Sequence, residues 1–407
     1  MDFNKAFEIY KMNNPIREKE YGEAIKLLFY TLVSSSLTVE TRKIDFFEIG
    51  LAIHPMIIIP SGGGKRVLIR AFKSFFDKSE YSDSFYLHSQ HLLGKKTKKE
   101  EIDGEFKKRI VIIDEADYLY RDNREQQTLQ FLRKVKDAYG EKRIEKISLT
   151  EKTIIDYQSS STIITMIRPF DIKMQQFLDG DLRRDCLAYV HIDNDLTLKV
   201  LRRRSTTNLK KERMKVAEGT TELKDFLLGL REMNIVWKFD KVFCEELYRM
   251  TEKIWFSTNK KSGDWLGKFR SFANDIMNNL IKMSCIQSLL SNKIEKSNVN
   301  IFDLQAAYSD YKAIWKSQID FCGAHVEGFD LTEKNKQQKI ITEWMEKQCK
   351  KTGKYPSKGE ILLFVAKSND FPGYYSHNPN SKTDFLIKKW TRKKKIPWYG
   401  TKKKQHL

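Results

Sequence analysis

A lysine behind three glycines and an aspartate–glutamate pair behind four apolar residues have the types and spacing to do chemistry on phosphates. In Met56-Ile-Ile-Ile-Pro-Ser-Gly-Gly-Gly-Lys-Arg66 an apolar run feeds Ser61, Gly62, Gly63, Gly64, Lys65 and Arg66. Such a run reads as a buried strand opening into a loop. Its glycines let backbone N–H groups turn around an anion, and Lys65 supplies a cation for the outer phosphates. Two positions depart from the usual pattern. Ile59 stands where a leading glycine is expected, and Arg66 stands where a hydroxyl is expected after the lysine. Alone, the stretch reads equally as an ordinary glycine-rich loop. Its natural partner is Ile110-Val-Ile-Ile-Asp-Glu115, a buried strand that delivers Asp114 to its carboxyl end. There Asp114 can hold Mg²⁺ through water, and Glu115 is placed to polarise an attacking water. A buried strand that happens to end in two solvated acids is the bland alternative; the two signals in this order favour an ATP site.

The elements that must position these residues follow from hydrophobic period and punctuation. Residues 1–45 read as two or three helices, with Glu23–Val33 at helical spacing and ended by Ser34-Ser-Ser36, a small prelude beside a nucleotide domain. Residues 46–205 alternate strands and helices, which implies an α/β core with a largely parallel sheet. Its expected strands are 56–59, 84–87, 109–117, 161–167 and 187–192. Helices are expected over 66–76 and 122–138, a charged loop over Lys95–Glu101, and a β-hairpin over 143–158 with Lys152 among its basic residues. Arg202–Arg204 and Lys210–Arg213 read as a basic connection to a helical domain over 206–328, within which Asn259–Gly263 reads as a loop. Residues 329–407 look like a separate module of three short helices. Thr332 is positioned to cap the first, Gly353 ends it, Pro356–Glu360 opens the second, and Lys382–Lys395 forms a basic third, as in a helix-turn-helix or winged-helix domain.

Bulk composition narrows the partners. The 407 residues carry 74 Lys and Arg against 54 Asp and Glu, a formal charge of +20, which favours a polyanion, most simply nucleic acid. Apolar residues make up 40%, enough for real cores. No apolar run resembles a signal peptide or a membrane span, so a cytoplasmic protein with no membrane partner is expected. Five scattered cysteines fit free thiols in a reducing compartment. Cys322 and His325 have the spacing of half a metal site, without a second half. The basic run Lys388, Lys389, Arg392, Lys393, Lys394 and Lys395 suits phosphate neutralisation, with few residues suited to base edges beside it.

The tetrapeptide Asp114-Glu-Ala-Asp117 invites a DEAD-box reading, but that family's Ser-Ala-Thr and arginine-rich closing motifs do not occur here. Over roughly residues 20–310 the chain instead resembles the AAA+ class, specifically the MCM-like helicases of phages, plasmids and archaeal viruses. Pro60-Ser-Gly-Gly-Gly-Lys65 looks like the phosphate loop of mobile-element helicases, and the hairpin at 143–158 is similar to one that grips DNA in their central channel. The resemblance implies a sensor at the end of the strand Thr165-Met-Ile-Arg-Pro169, occupied by Arg168 or, second, by Thr165. It implies an arginine finger within Asp181-Leu-Arg-Arg-Asp185, with Arg184 first and Arg183 in reserve. It also implies a second sensor within Trp265–Arg270, with Arg270 first and Lys268 behind it. A finger that acts on a neighbour's nucleotide implies a homo-oligomeric ring, six subunits being the expectation. Function follows as an ATP- and Mg²⁺-dependent helicase or translocase on single-stranded or forked DNA, serving a virus or plasmid in a prokaryotic host. The alternatives are a non-unwinding AAA+ initiator, loader or transposition ATPase, and a DNA-binding protein with a degenerate nucleotide site.

Overall fold

A computed structural model of the chain describes residues 1–84, 94–96, 101–103, 108–116, 119, 130, 132–133, 136, 143–147, 152–156, 161–166, 184–192, 194–206, 209–262, 272–291, 297–325, 331–367, 387 and 391. In chain order these form α1 (Phe3–Asn13), α2 (Gly22–Ser35), the short antiparallel pair β1 (Lys43–Ile44) and β2 (Ile49–Gly50), β3 (Pro55–Ile58), α3 (Lys65–Lys73), β4 (Tyr81–Ser84), β5 (Gly94–Lys96), β6 (Glu101–Asp103), β7 (Ile110–Ile113), β8 (Arg143–Ile147), β9 (Lys152–Asp156), β10 (Ser161–Met166) and β11 (Cys186–Tyr189). Helices α4 (Asn194–Thr206), α5 (Leu209–Leu230), α6 (Lys241–Ser262), α7 (Phe272–Leu289), α8 (Ile301–His325), α9 (Leu331–Thr352) and α10 (Lys358–Lys367) follow. Two-residue strands β12 (Lys238–Phe239) and β13 (Asn298–Val299) lie between them.

The chain divides into two compact units, residues 1–258 with 268–321, and residues 259–267 with 322–407. The first unit is α/β. Its central sheet has the order β11-β3-β10-β7-β4, every neighbouring pair parallel. Strands β3 and β7 are buried along their whole length, which is why they read as unbroken apolar runs rather than as alternations. The acidic strand is not beside the glycine-loop strand. Strand β10 stands between them, with Ile164 opposite Met56 on one side and Ile113 on the other.

Helix α2 is part of this core rather than a prelude to it. From Ala24 to Ser35 every residue but Lys26 is buried. Most of its polar residues are tolerated there because they bond their own helix. Thr31 Oγ1 donates to Leu27 O (2.9 Å), Ser34 Oγ to Thr31 O (3.1 Å) and Ser36 Oγ to Leu32 O (2.9 Å), whereas the buried Ser35 hydroxyl finds no partner among the described residues. Tyr30 Oη donates to Asp310 Oδ2 (2.7 Å) and accepts from Gln287 Nε2 (2.6 Å), tying α2 to α8 and α7.

Several expectations are corrected. The edge strand starts at Tyr81, three residues before the expected 84–87, and its pairing sets Tyr81 opposite Ile110 and Ser84 opposite Ile113; residues 85–87 lie outside the described residues. The charged stretch around Lys95–Glu101 contributes to an antiparallel hairpin, β5 with β6, instead of a loop. Arg202–Arg204 and Lys210–Arg213 lie within α4 and α5, and α6 continues to Ser262, over residues 259–262 of the expected loop. The hairpin expected over 143–158 is present as β8 and β9, with Arg143 opposite Asp156.

In the second unit Ile341, Met345, Ile361, Val365 and Ile387 form one apolar cluster, with the Trp344 and Phe364 rings stacked at 4.4 Å beside it. Gly353, at φ +72°, ends α9, a conformation that costs glycine little. Ser357 opens α10 in a capping box. Its N–H donates to Glu360 Oε2 (2.7 Å) and its Oγ accepts from the Glu360 N–H (3.4 Å). Helix α9 begins at Leu331, so Thr332 sits inside its first turn instead of capping it. Of the expected third helix, Ile387 and Thr391 are described, both helical and buried.

At the amino edge of the sheet His54 is buried, and its Nδ1 accepts the Thr162 N–H at 3.1 Å. Burial, then the charges of Lys136 and Lys282, hold its pKa well below the ordinary value, so the folded protein keeps it neutral. The unfolded chain takes up a proton as pH falls through about 6.5, whereas the folded chain does not. Stability contributed by neutral His54 is therefore complete above that pH and declines below it. A His54→Asn variant, whose side-chain oxygen can still accept from Thr162, is expected to show a flatter loss of melting temperature between pH 7.5 and 5.5.

Candidate functional site

Beyond Ile58 the β3 backbone continues its pairing for one residue, Ile59 N–H donating to Met166 O at 3.1 Å, and then turns. Gly62 and Gly64 take φ of +80° and +84°, in the left-handed region that disfavours other residues. Gly63 is required for a different reason. A Cβ there would lie 1.9 Å from Ile192 Cδ1 and 2.6 Å from Ile59 Cγ2. The loop ends at the start of α3, where Gly64 O accepts from Val67 N–H (2.9 Å) and Leu68 N–H (3.2 Å). The first N–H groups of α3 have no acceptor within the helix and carry partial positive charge toward the loop.

The loop is also held from outside. Tyr21 Oη donates to Gly63 O at 2.8 Å, and Ile16 packs so closely that a Cβ on Gly64 would meet its Cδ1 at 2.1 Å. Both clamp residues are buried. Sequence reasoning missed this clip, because the contact joins residues more than forty positions apart with no motif to mark it.

Strand β7 brings Asp114 and Glu115 to the same carboxyl edge. Thr165, on the strand between, donates its hydroxyl to Asp114 Oδ1 at 2.5 Å. Glu115 N–H reaches Asp114 Oδ1 (3.0 Å) and Thr165 Oγ1 (3.3 Å), and Ala116 N–H donates to Thr165 O (2.8 Å). These bonds hold Glu115 at φ +54°, a conformation that costs a non-glycine residue about 1–3 kcal/mol. Lys65 Nζ lies 2.8 Å from Asp114 Oδ1 and 3.9 Å from Glu115 Oε1. Burial pushes the Asp114 carboxyl up, but Lys65 and Thr165 outweigh it and hold the group below its ordinary value, so it stays charged. Lys65 and Asp114 are buried, whereas the Glu115 side chain is 41% exposed and open to a ligand.

Glycine loop, Lys65, Asp114 and Glu115 are thus brought together as the sequence suggested, with Thr165, the second of the two sensor candidates, at their centre. Arg168 lies outside the described residues. So do Arg270, Lys388, Lys389, Arg392, Lys393, Lys394 and Lys395. Ser61 is exposed at the tip of the loop. Lys152 begins β9. Arg184 precedes β11, whose Cys186 pairs with Pro55, so it sits at the amino edge. At least a strand's length, roughly 13 Å, separates it from Lys65 of its own chain. Its neighbour Asp185 is fixed by Lys136 at 2.7 Å, both side chains fully buried. Cys322 and His325 fall within α8, and no cluster of three metal-ligating side chains occurs among the described residues.

The loop fits a polyphosphate. It offers two left-handed glycines, a third position with no room for a side chain, a helix start and Lys65. The same edge does not fit a resident divalent ion. Asp114 Oδ1 already meets Lys65 and Thr165, and position 66 offers a guanidinium where a metal-binding hydroxyl is expected.

The strain at Glu115 can be isolated by comparing two truncations that differ only in backbone freedom. Glu115→Gly is expected to be more stable than Glu115→Ala by about 1 kcal/mol in urea unfolding. Equal stabilities would mean that the turn is relaxed. Compared with known proteins, the chain matches no family model, and no curated protein matches it.

Proposed function

We propose that the chain is a P-loop ATPase of AAA+ type that works on DNA as a ring, a helicase or translocase resembling the MCM-like class. The observation that carries this reading is the meeting of Lys65 with Asp114 and Glu115 around the glycine loop, at the carboxyl edge of a parallel sheet. Ligands of open α/β sheets bind at that edge. In this reading the loop N–H groups and Lys65 hold the outer phosphates of ATP. Glu115, half-exposed beside them, takes the proton of an attacking water. The water oxygen bonds to the γ-phosphorus, the bond to the β–γ bridging oxygen breaks, and ADP leaves. Asp114 acts by positioning. It anchors Lys65 and, through Thr165, the turn that aims Glu115.

Arg184 at the opposite edge supports a ring, because a finger so placed can serve only a neighbour's site. The β8–β9 hairpin, the charge of +20 and the basic C-terminal run support DNA as the polymer. The second unit, with α9, α10 and the helical residues Ile387 and Thr391 around one cluster, supports a winged-helix-like module. Arg66, set against the acids, favours as second reading a non-unwinding switch that binds nucleotide and turns it over slowly.

Glu115→Gln is expected to lower DNA-stimulated phosphate release by about 10²–10⁴-fold while ATP still binds, since a general base contributes that much. Unchanged release would sink the motor reading, and strand displacement on a forked duplex separates helicase from switch. Neither Arg184→Ala nor Lys65→Ala subunits should hydrolyse ATP alone, yet mixing them should restore part of the activity, because some interfaces then pair an intact Lys65 with an intact Arg184. Absence of rescue at every ratio would remove the finger role.

A further inference from the structure

Arg66 is the loop residue that the hydrolytic reading leaves without a task. It follows Lys65 in the first turn of α3, and its guanidinium reaches back over the acidic turn. Nη2 lies 3.5 Å from Glu115 Oε1, and Nε lies 3.9 Å from Asp114 Oδ2. Lys65 meets the same two carboxylates, at Asp114 Oδ1 and at the same Glu115 Oε1. Two consecutive cations therefore face two consecutive acids, each acid touching both. A divalent ion held by Asp114 would have to displace the guanidinium from Oδ2 or compete with Lys65 and Thr165 for Oδ1. With 68% of its side chain exposed, Arg66 can swing from the acids to an incoming phosphate without disturbing the core. A guanidinium suits that exchange, since its fork of donors matches phosphate oxygens two at a time.

Resting on the nucleotide reading above, we propose that Arg66 takes the place of the divalent cation, so that the chain binds ATP without metal. In the free protein the guanidinium is parked on Asp114 and Glu115. On binding it moves to the polyphosphate beside Lys65, and Asp114 keeps its bond from Thr165 and its contact with Lys65. The departure from the usual loop pattern then changes the cofactor requirement and leaves the site intact.

The test is calorimetric titration of the full chain with ATP, in magnesium excess and in EDTA, for wild type, Arg66→Ser and Arg66→Lys. Wild-type affinity is expected to agree within about threefold between the two buffers, and Arg66→Ser is expected to lose about tenfold in EDTA, the worth of one charge-assisted contact. Magnesium should restore binding to Arg66→Ser, because the serine returns the hydroxyl that a metal would use. Arg66→Lys, which keeps the charge, should stay metal-independent. Wild-type binding that requires magnesium and is lost in Lys65→Ala would overturn this proposal while leaving the nucleotide reading standing. Equal binding of wild type and Arg66→Ser in EDTA would overturn it as well. No binding by a folded wild-type chain in either buffer would overturn both.

Discussion

Asp114 Oδ1 is the atom on which the arrangement of the site depends. It receives the Thr165 hydroxyl, the Glu115 N–H and the Lys65 ammonium, from three different elements. Those elements can converge only because β10 lies between β3 and β7. Two strand spacings, roughly 9.6 Å, separate the glycine-loop strand from the acidic strand, too far for their ends to touch directly. Thr165 closes half of that gap from the middle strand, and Lys65 closes the rest from the start of α3. Apolar strands wall the flanks, so the carboxylate is shielded from water and its charge has to be matched by groups of the protein.

The loop itself is determined on two sides. Toward the sheet, Ile59 continues the pairing with β10 and Gly63 packs against Ile192 with no room for a Cβ. Away from it, the segment between α1 and α2 supplies Ile16 and the Tyr21 hydroxyl. Helix α2 is in turn immobilised by its burial and by Tyr30, Asp310 and Gln287. A loop whose glycines would otherwise be free is thus pre-set, and the entropy of ordering it is spent during folding instead of at ligand binding.

What could be read from sequence follows from the range of the forces involved. Strands β3 and β7 were legible because burial on both faces writes an unbroken apolar run into the chain. The glycine loop and the Gly353 and Ser357 helix boundaries were legible because backbone conformation and capping are local chemistry. Strand β4 starts three residues earlier than its own sequence suggests because its start is set by pairing with a strand far along the chain. The β5–β6 hairpin was hidden by lysines that read as solvated loop, since cross-strand pairing leaves little trace in so polar a stretch. Thr165 ranked below Arg168 because the resemblance set the sensor directly before Pro169; the contacts of Thr165 with Asp114 and Glu115 follow from strand order, which no local pattern encodes. The burial of α2 was legible in its apolar residues but not in Thr31 and Ser34, whose bonds to their own helix make them acceptable inside.

The two edges of the sheet treat charge in opposite ways, and the contrast identifies which one can work. At the amino edge Lys136 and Asp185 are both fully buried, and His54 beside them is kept neutral. Breaking such a pair leaves an uncompensated charge out of water, at a cost of about 3–5 kcal/mol, so no ligand can trade places with either partner. At the carboxyl edge the acids meet Lys65, which is buried, and Arg66, which is mostly exposed, while Glu115 is itself half-open. The exposed Arg66–Glu115 pair lies within about 1 kcal/mol of dissociation. A polyphosphate can take over the Arg66 guanidinium because Glu115 then remains within reach of solvent, while Asp114 keeps Lys65 and the Thr165 hydroxyl. Burial fixes structure at one edge, and partial exposure leaves the other able to exchange partners, which is the property a binding site requires.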